Sequence, residues 1–202
     1  MNTKLSILLI ITALFLSGCS EKFYNFLYYD QELHGIQIAG KITNIDVIDL
    51  RQKDLLKDIE IPKSQFSNYD IIAHPALTNK NKELLERKVR SYFTNSGKSL
   101  KVKCYIVNTA KRATRTIFKL REFVLVEMSI AIFDENDKLL DFGTSSSSYE
   151  HKPVGSIKYE INLLFEKAIR DAVYRCFDEF KSIEKTITVG GAFRYSVIKK
   201  ED

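Results

Sequence analysis

Leu100-Lys101-Val102-Lys103-Cys104-Tyr105-Ile106, then Phe123 to Phe133 (FVLVEMSIAIF), then Leu139 to Tyr149 (LLDFGTSSSSY), are the stretches on which the fold turns. In the first, Leu100, Val102, Cys104 and Ile106 alternate with Lys101, Lys103 and Tyr105; in the second, Val124, Val126, Met128, Ile130 and Ile132 make one face. Period two is the signature of strands that bury one side. The second and third stretches are joined by Asp134-Glu135-Asn136-Asp137, a polar four-residue turn suited to a hairpin. A meander of antiparallel strands is the economical arrangement.

Outward from this block the period changes to that of helices. Between Asn81 and Gly97, Leu85, Val89 and Tyr92 fall at helical spacing, and Leu84 and Phe93 widen the stripe. Asn79 or Asn81 is placed to cap this helix and Gly97 to stop it. Beyond Pro153, a stripe of Ile157, Ile161, Leu164, Phe165, Ala168, Ile169, Ala172, Val173, Cys176, Phe177 and Phe180 predicts a second, longer helix capped by Ser156. Upstream, Ile36 to Leu50 alternates, shifts phase near Asn44 and is rich in β-branched residues, which reads as a strand with a bulge. Residues 51–78, with Pro62 and Pro75, read as a long loop holding a short strand at Tyr69 to Ala73. The tail from Thr186 to Ile198 reads as two short strands about Gly190-Gly191. The expectation is a single α+β domain over residues 36–202. It has a mainly antiparallel sheet with two helices packed on one face, plus a C-terminal β-hairpin.

The N-terminus carries a different signal. Lys4 is followed by an apolar run from Leu5 to Leu16, interrupted only by Ser6 and Thr12, and then by Leu16-Ser17-Gly18-Cys19. A charged head, a short apolar middle and small residues at a cut describe a secretory signal over residues 1–18. A run of about twelve residues is well short of the ~20 needed to span a bilayer as a helix. Leu16 to Cys19 resembles the lipobox of bacterial lipoproteins, in which the cysteine becomes the new N-terminus and carries the acyl chains, palmitate among them. Cys19 is therefore the expected lipidation site. Residues 19–35 form a tether whose Phe23, Tyr24, Phe26, Tyr28 and Tyr29 suit a membrane interface, or else cover one edge of the domain or form a first strand. Ser20 stands where an Asp would retain such a protein in the inner membrane, so the expected address is the outer membrane, facing the periplasm.

With 202 residues and a formal charge of +5, the chain is long enough for one real core, and its charge excess is local. Nucleic acid is not an expected partner. The excess lies between Lys101 and Arg121, where Lys101, Lys103, Lys111, Arg112, Arg115, Lys119 and Arg121 occur with no acidic residue between them. Lys111, Arg112, Arg115, Lys119 and Arg121 are the candidate contacts for an anionic surface if the connection from Thr109 to Phe123 projects as a mobile hairpin. The alternative is a solvated turn. Cys104 shares a face with Val102 and Ile106, and Cys176 shares the helix stripe with Val173 and Phe177. They are either two buried thiols or a disulfide joining helix to sheet.

Catalytic chemistry is sparse. His34, His74 and His151 stand in presumed loops, none with a metal-ligand neighbour at two, three or four residues, so no metal or cofactor is expected. There is no Gly-x-Ser-x-Gly elbow and no phosphate-cradling glycine loop, and Ser145 to Ser148 read as a solvated strand edge. Asp49 and Arg51, two apart on one strand, suit a structural pair better than acid–base work. Asp134, Glu135 and Asp137 lack the glycine and distant glutamate of a calcium loop.

The lipobox at Cys19, the first strand ending in Asp49-Leu50-Arg51, the helix stopping at Gly97, the strand block from Leu100 to Tyr149 and the helix from Ser156 to Phe180 together resemble the YajG-like family of bacterial lipoproteins. That family has an Asp-x-Arg step at the corresponding place. The resemblance implies an envelope lipoprotein with no established catalytic residues, so no active site is carried over. The Gly190-Gly191 hairpin and the basic connection near Arg112 depart from the pattern. The expected function is therefore a non-enzymatic binding or scaffold component of the envelope, touching an anionic lipid or an envelope protein. The rival is an accessory lipoprotein subunit of a lipid-transport or cell-wall synthesis machine.

Overall fold

A computed structural model describes residues 34–62, 68–117, 120–152, 160–183, 185–189 and 193–197. In chain order these form β1 (His34–Ile38), β2 (Lys41–Asp49), a 3-10 turn (Lys53–Leu55), β3 (Tyr69–Ala73), α1 (Asn79–Ser91), β4 (Ser99–Arg115), β5 (Leu120–Phe133), β6 (Leu139–His151), α2 (Glu160–Asp178), β7 (Lys185–Val189) and β8 (Phe193–Val197). The fold is α+β. The signal segment, Cys19, the aromatic tether, Lys119, the Ser156 cap and the Gly190-Gly191 turn lie outside the described residues.

The larger sheet is mixed, and β4 organises it. One edge of β4 pairs antiparallel with β5 along its whole length, and β5 pairs antiparallel with β6. The other edge is shared. β2 runs parallel to Ser99 through Ile106, and β3 runs antiparallel to Lys111 through Arg115. A parallel pair needs a crossover, which the chain makes through β3 and α1 before entering β4. The stretch from Ile36 to Asp49 is two strands and not one. It divides at Ala39-Gly40, after which β1 joins β7 and β8 in a second, three-stranded sheet ordered β1-β7-β8. Gly40 is required by a close approach, since a Cβ there would lie 2.3 Å from Leu100 Cδ1. The phase shift near Asn44 is a bulge between Ile42 and Asn44.

Both helices pack against the face built from the alternating residues. Leu100, Val102, Cys104 and Ile106 of β4 and Val124, Val126, Met128, Ile130 and Ile132 of β5 are all buried, as is the α2 stripe from Ile161 to Phe177. Burying each such aliphatic side chain contributes roughly 1.5–3 kcal/mol before the entropy of ordering it is counted. α2 lies over β5 and β6, and α1 packs beside it. Gly143 of β6 is the point of closest contact: a Cβ there would meet the Cys176 carbonyl oxygen at 2.2 Å.

α1 differs from expectation at both ends. Its cap is Thr78, whose hydroxyl accepts from the Asn81 amide at 3.2 Å, and its last residue is Ser91. It stops early because Tyr92 and Phe93 turn into an aromatic cluster. Tyr92 stacks on Phe177 at 4.5 Å, and Phe93 meets the same ring edge-on at 5.7 Å. The Ile38 amide then takes the Tyr92 carbonyl at 2.8 Å, joining the small sheet to the helix end. Gly97, at φ 97°, serves the turn into β4 instead. Lys185 closes the other helix by donating to the Phe177 and Asp178 carbonyls at the end of α2, where a cation meets the negative end of the helix dipole.

Candidate functional site

The polar residues with the densest bonding sit where β2 and β3 both end, along the shared edge of β4. Opposite this gap is Thr109, whose backbone neither strand covers. Arg51 fills it. Its guanidinium grips both Asp49 carboxylate oxygens at 2.8 and 2.6 Å, donates to the Thr109 hydroxyl and reaches the Pro75 carbonyl at 3.1 Å. Thr109 Oγ1 in turn donates to the same Pro75 carbonyl at 2.7 Å, and His74 Nδ1 donates to the Thr109 carbonyl at 2.8 Å. Arg51 holds the Asp49 carboxyl below its ordinary range, mainly through their side-chain hydrogen bonds. The Asp49-Leu50-Arg51 step is a structural anchor: it ties the end of β2 and the segment after β3 to β4 and offers no free acid–base pair.

A second polar cluster lies at the far end of the helix–sheet interface, with Lys111, Glu122 and His151 buried in it. Lys111 is only 3% exposed. Its ammonium donates to Asp58 Oδ1 and Asn162 Oδ1, each at 2.9 Å, and lies 5.0 Å from the Phe165 ring centre. On the same face Glu122 and His151 stand directly across from each other in the β5–β6 register, both buried. Sequence reading did not single out Asp58, Glu122 or Asn162. The alternation Thr109, Lys111, Ala113 opposite Val126, Val124 and Glu122 was the available signal for Lys111 and Glu122, and nothing local marks Asp58.

The basic connection is therefore not a projecting loop. β4 continues to Arg115 and β5 begins at Leu120, so residues 111–115 are an inner strand with partners on both sides. Small Ala110 and Ala113 and the stem of Lys111 supply the buried positions in place of a long apolar stripe. Lys111 points inward and is not at a surface. Arg112 faces outward in a two-pronged pair with Asp70 at 2.9 and 2.6 Å, and Arg121 pairs with Glu150 at 3.4 Å. Hydrogen bonds from Arg112, then Thr114, hold the Asp70 carboxyl down at about 2. Arg115 is half-buried at the strand end.

Cys104 and Cys176 face the same core and are both free, buried thiols. Cys176 Sγ lies 3.2 Å from Ser145 Oγ, and burial pushes its thiol up to about 12. Cys104 is displaced upward still further by burial, so neither is a nucleophile at neutral pH. The histidines are not all in loops: His34 begins β1 and His151 ends β6. Ser145 and Ser147 point at α2, bonding the Ala172 carbonyl at 2.6 Å and Asp171 at 2.7 Å, while Ser146 and Ser148 are exposed. The Asp134 turn closes on itself, its carboxylate accepting from the Asn136 and Lys138 amides at 2.9 Å. Among the described residues no three His, Cys, Asp or Glu side chains are grouped to hold a metal ion.

No family model matches the chain, and no curated protein matches it. Among solved structures, the chain is similar to a minor lipoprotein from Acinetobacter baumannii at 9% identity, covering 67% of this chain and 88% of that one with a TM-score of 0.36.

Proposed function

We propose that the chain is a lipoprotein of the cell envelope, anchored by lipid on Cys19 and acting as a non-enzymatic binding or scaffold component on the periplasmic side of the outer membrane. The observation that carries this reading is the sequence Leu16-Ser17-Gly18-Cys19 directly after a short apolar run with Lys4 at its head. Among the described residues no helix is long and apolar enough to cross a membrane, which is compatible with a lipid as the anchor. Each buried methylene contributes about 0.8 kcal/mol, so several acyl chains on one cysteine hold a domain of this size stably. The YajG-like order of parts supports the same reading. So does the use made of the polar groups: Asp49, Arg51, Lys111, Ser145 and Ser147 join elements to one another. Acyl labelling in cells tests the proposal. Label is expected on the wild type and not on Cys19→Ser; equal label on both overturns it.

A further inference from the structure

We propose that one corner of the domain, where α1 ends and β2 and β4 begin, is a docking surface for the anionic phospholipid headgroups of the leaflet that holds the anchor. The proposal rests on the lipid at Cys19 and adds which way the domain faces. At this end of the larger sheet the Lys41 amide donates to the Lys98 carbonyl at 2.9 Å. α1 ends beside it: the Tyr92 carbonyl accepts from the Ile38 amide at 2.8 Å, and the Ser91 carbonyl from Gln37 Nε2 at 3.1 Å. These bonds gather cations from two strands and a helix at one corner, namely Lys41, Lys88, Arg90, Lys98 and, a turn before Arg90, Arg87. Lys41, Arg87, Arg90 and Lys98 are exposed, and the Lys88 ammonium lies 5.4 Å from the Tyr92 ring centre.

Among the described residues none of these five enters an ion pair. Further along the sheet the cations are matched: Lys111 with Asp58, Arg112 with Asp70 and Arg121 with Glu150. Cations in the last turn of a helix balance its dipole, which accounts for Lys88 and Arg90. It does not account for Lys41 and Lys98, which stand at the starts of two strands. The carboxylates of the same end lie elsewhere on it. Asp134, Glu135 and Asp137 are on the turn between β5 and β6, and Asp178 and Glu179 close α2, which lies over β5 and β6. Glu83 and Glu86 precede Arg90 on α1 by four residues or more. With the strands ordered β2-β4-β5-β6, the end of the domain has a basic corner and an acidic one. Unmatched cations on one corner create a local potential that attracts anions and repels cations.

The occupant is named by where the chain enters. β1 leads straight into the basic corner, with Ile38 bridged to Phe93, and His34 is at most about 13 Å before Ile38. Residues 19–33 span no more than about 50 Å even when fully extended, and the far end of β4 is about 55 Å further along the sheet. An anchor on Cys19 therefore ties the basic corner to the leaflet more closely than any surface at the other end. Lysine and arginine held beside an anionic leaflet are attracted to its headgroups over about a Debye length, roughly 8 Å at physiological salt.

The test uses the acylated protein extracted from membranes and placed in vesicles of phosphatidylcholine, or of phosphatidylcholine and phosphatidylglycerol two to one. Lysines are read by amine-reactive labelling and mass spectrometry. Lys41 and Lys98 are expected to label several-fold more slowly on the anionic vesicles, with the difference lost at high salt. Lys57 and Lys152, exposed toward the other end of the sheet, are expected to label alike on both. With Arg87→Gln, Arg90→Gln and Lys98→Gln combined, Lys41 is expected to label alike on both. Equal labelling of wild-type Lys41 and Lys98 on the two vesicles, or a slowing that extends equally to Lys57 and Lys152, overturns the docking surface and leaves the anchor standing. Protein that floats with neither vesicle overturns the anchor, and the proposal with it.

Discussion

Lys111 is a buried cation and Arg51 a half-buried one, and their substitutions should behave differently because their partners do. Removing Arg51 leaves the Thr109 hydroxyl, the Pro75 carbonyl and Asp49 without their common donor. Arg51→Ala should therefore cost about 2–3 kcal/mol in urea unfolding, with Arg51→Lys recovering only part, since an ammonium cannot grip two carboxylate oxygens as a fork. The Asp49 carboxyl is lowered in the folded state. Its contribution is complete above the unfolded value of about 3.9 and is lost as pH falls through the folded value. Wild type should lose stability on acidification below about pH 4 more steeply than Arg51→Ala; parallel curves would contradict the anchor. Lys111 is the opposite case. Asp58 and Asn162 are exposed and rehydrate when it is removed, so Lys111→Met, which keeps the stem against Phe165, should stay within about 1 kcal/mol of wild type. Lys111→Ala should cost about 2–3 kcal/mol, the cost of an emptied space. Equal losses in the two variants would mean that charge outweighs packing at this position.

At the scale of elements, what could be read in the sequence is what local pattern encodes. The alternation over Leu100–Ile106 and Phe123–Phe133 and the α2 stripe correspond to buried faces, and the bulge at Asn44 and the short strand at Tyr69 were visible as a phase shift and a β-branched run. What could not be read depends on partners distant in the chain. The break at Gly40 comes from Leu100 across the sheet, the early end of α1 from the Phe177 ring, and the inward turn of Lys111 from β3 and α2 on either side. The basic run from Lys111 to Arg115 reads as a loop on charge alone, and its pairing with β3 has no local signal. Gly143 illustrates the same dependence, since nothing near it in sequence announces the helix that crosses it. Gly143→Ala forces a methyl into the Cys176 carbonyl and should separate α2 from β6, lowering stability by about 3 kcal/mol. A thermal midpoint within a degree of wild type would show that α2 does not sit this close.

For the whole molecule, the sequence encodes an address more plainly than a task. The candidate site residues on the strands are spent on joining elements: Asp49 and Arg51 at the seam, Lys111 under α2, Arg112 on Asp70 and Arg121 on Glu150. The proposed function therefore rests on the anchor proposed at Cys19. The anchor is thus the central claim, and the intact mass of the protein extracted from membranes tests it most directly. The account predicts a chain that begins at Cys19 and is heavier than its amino acids by a diacylglyceryl group and a further acyl chain. A mass equal to the unmodified chain, with residues 1–18 retained or with Cys19 cut free but bare, would contradict it.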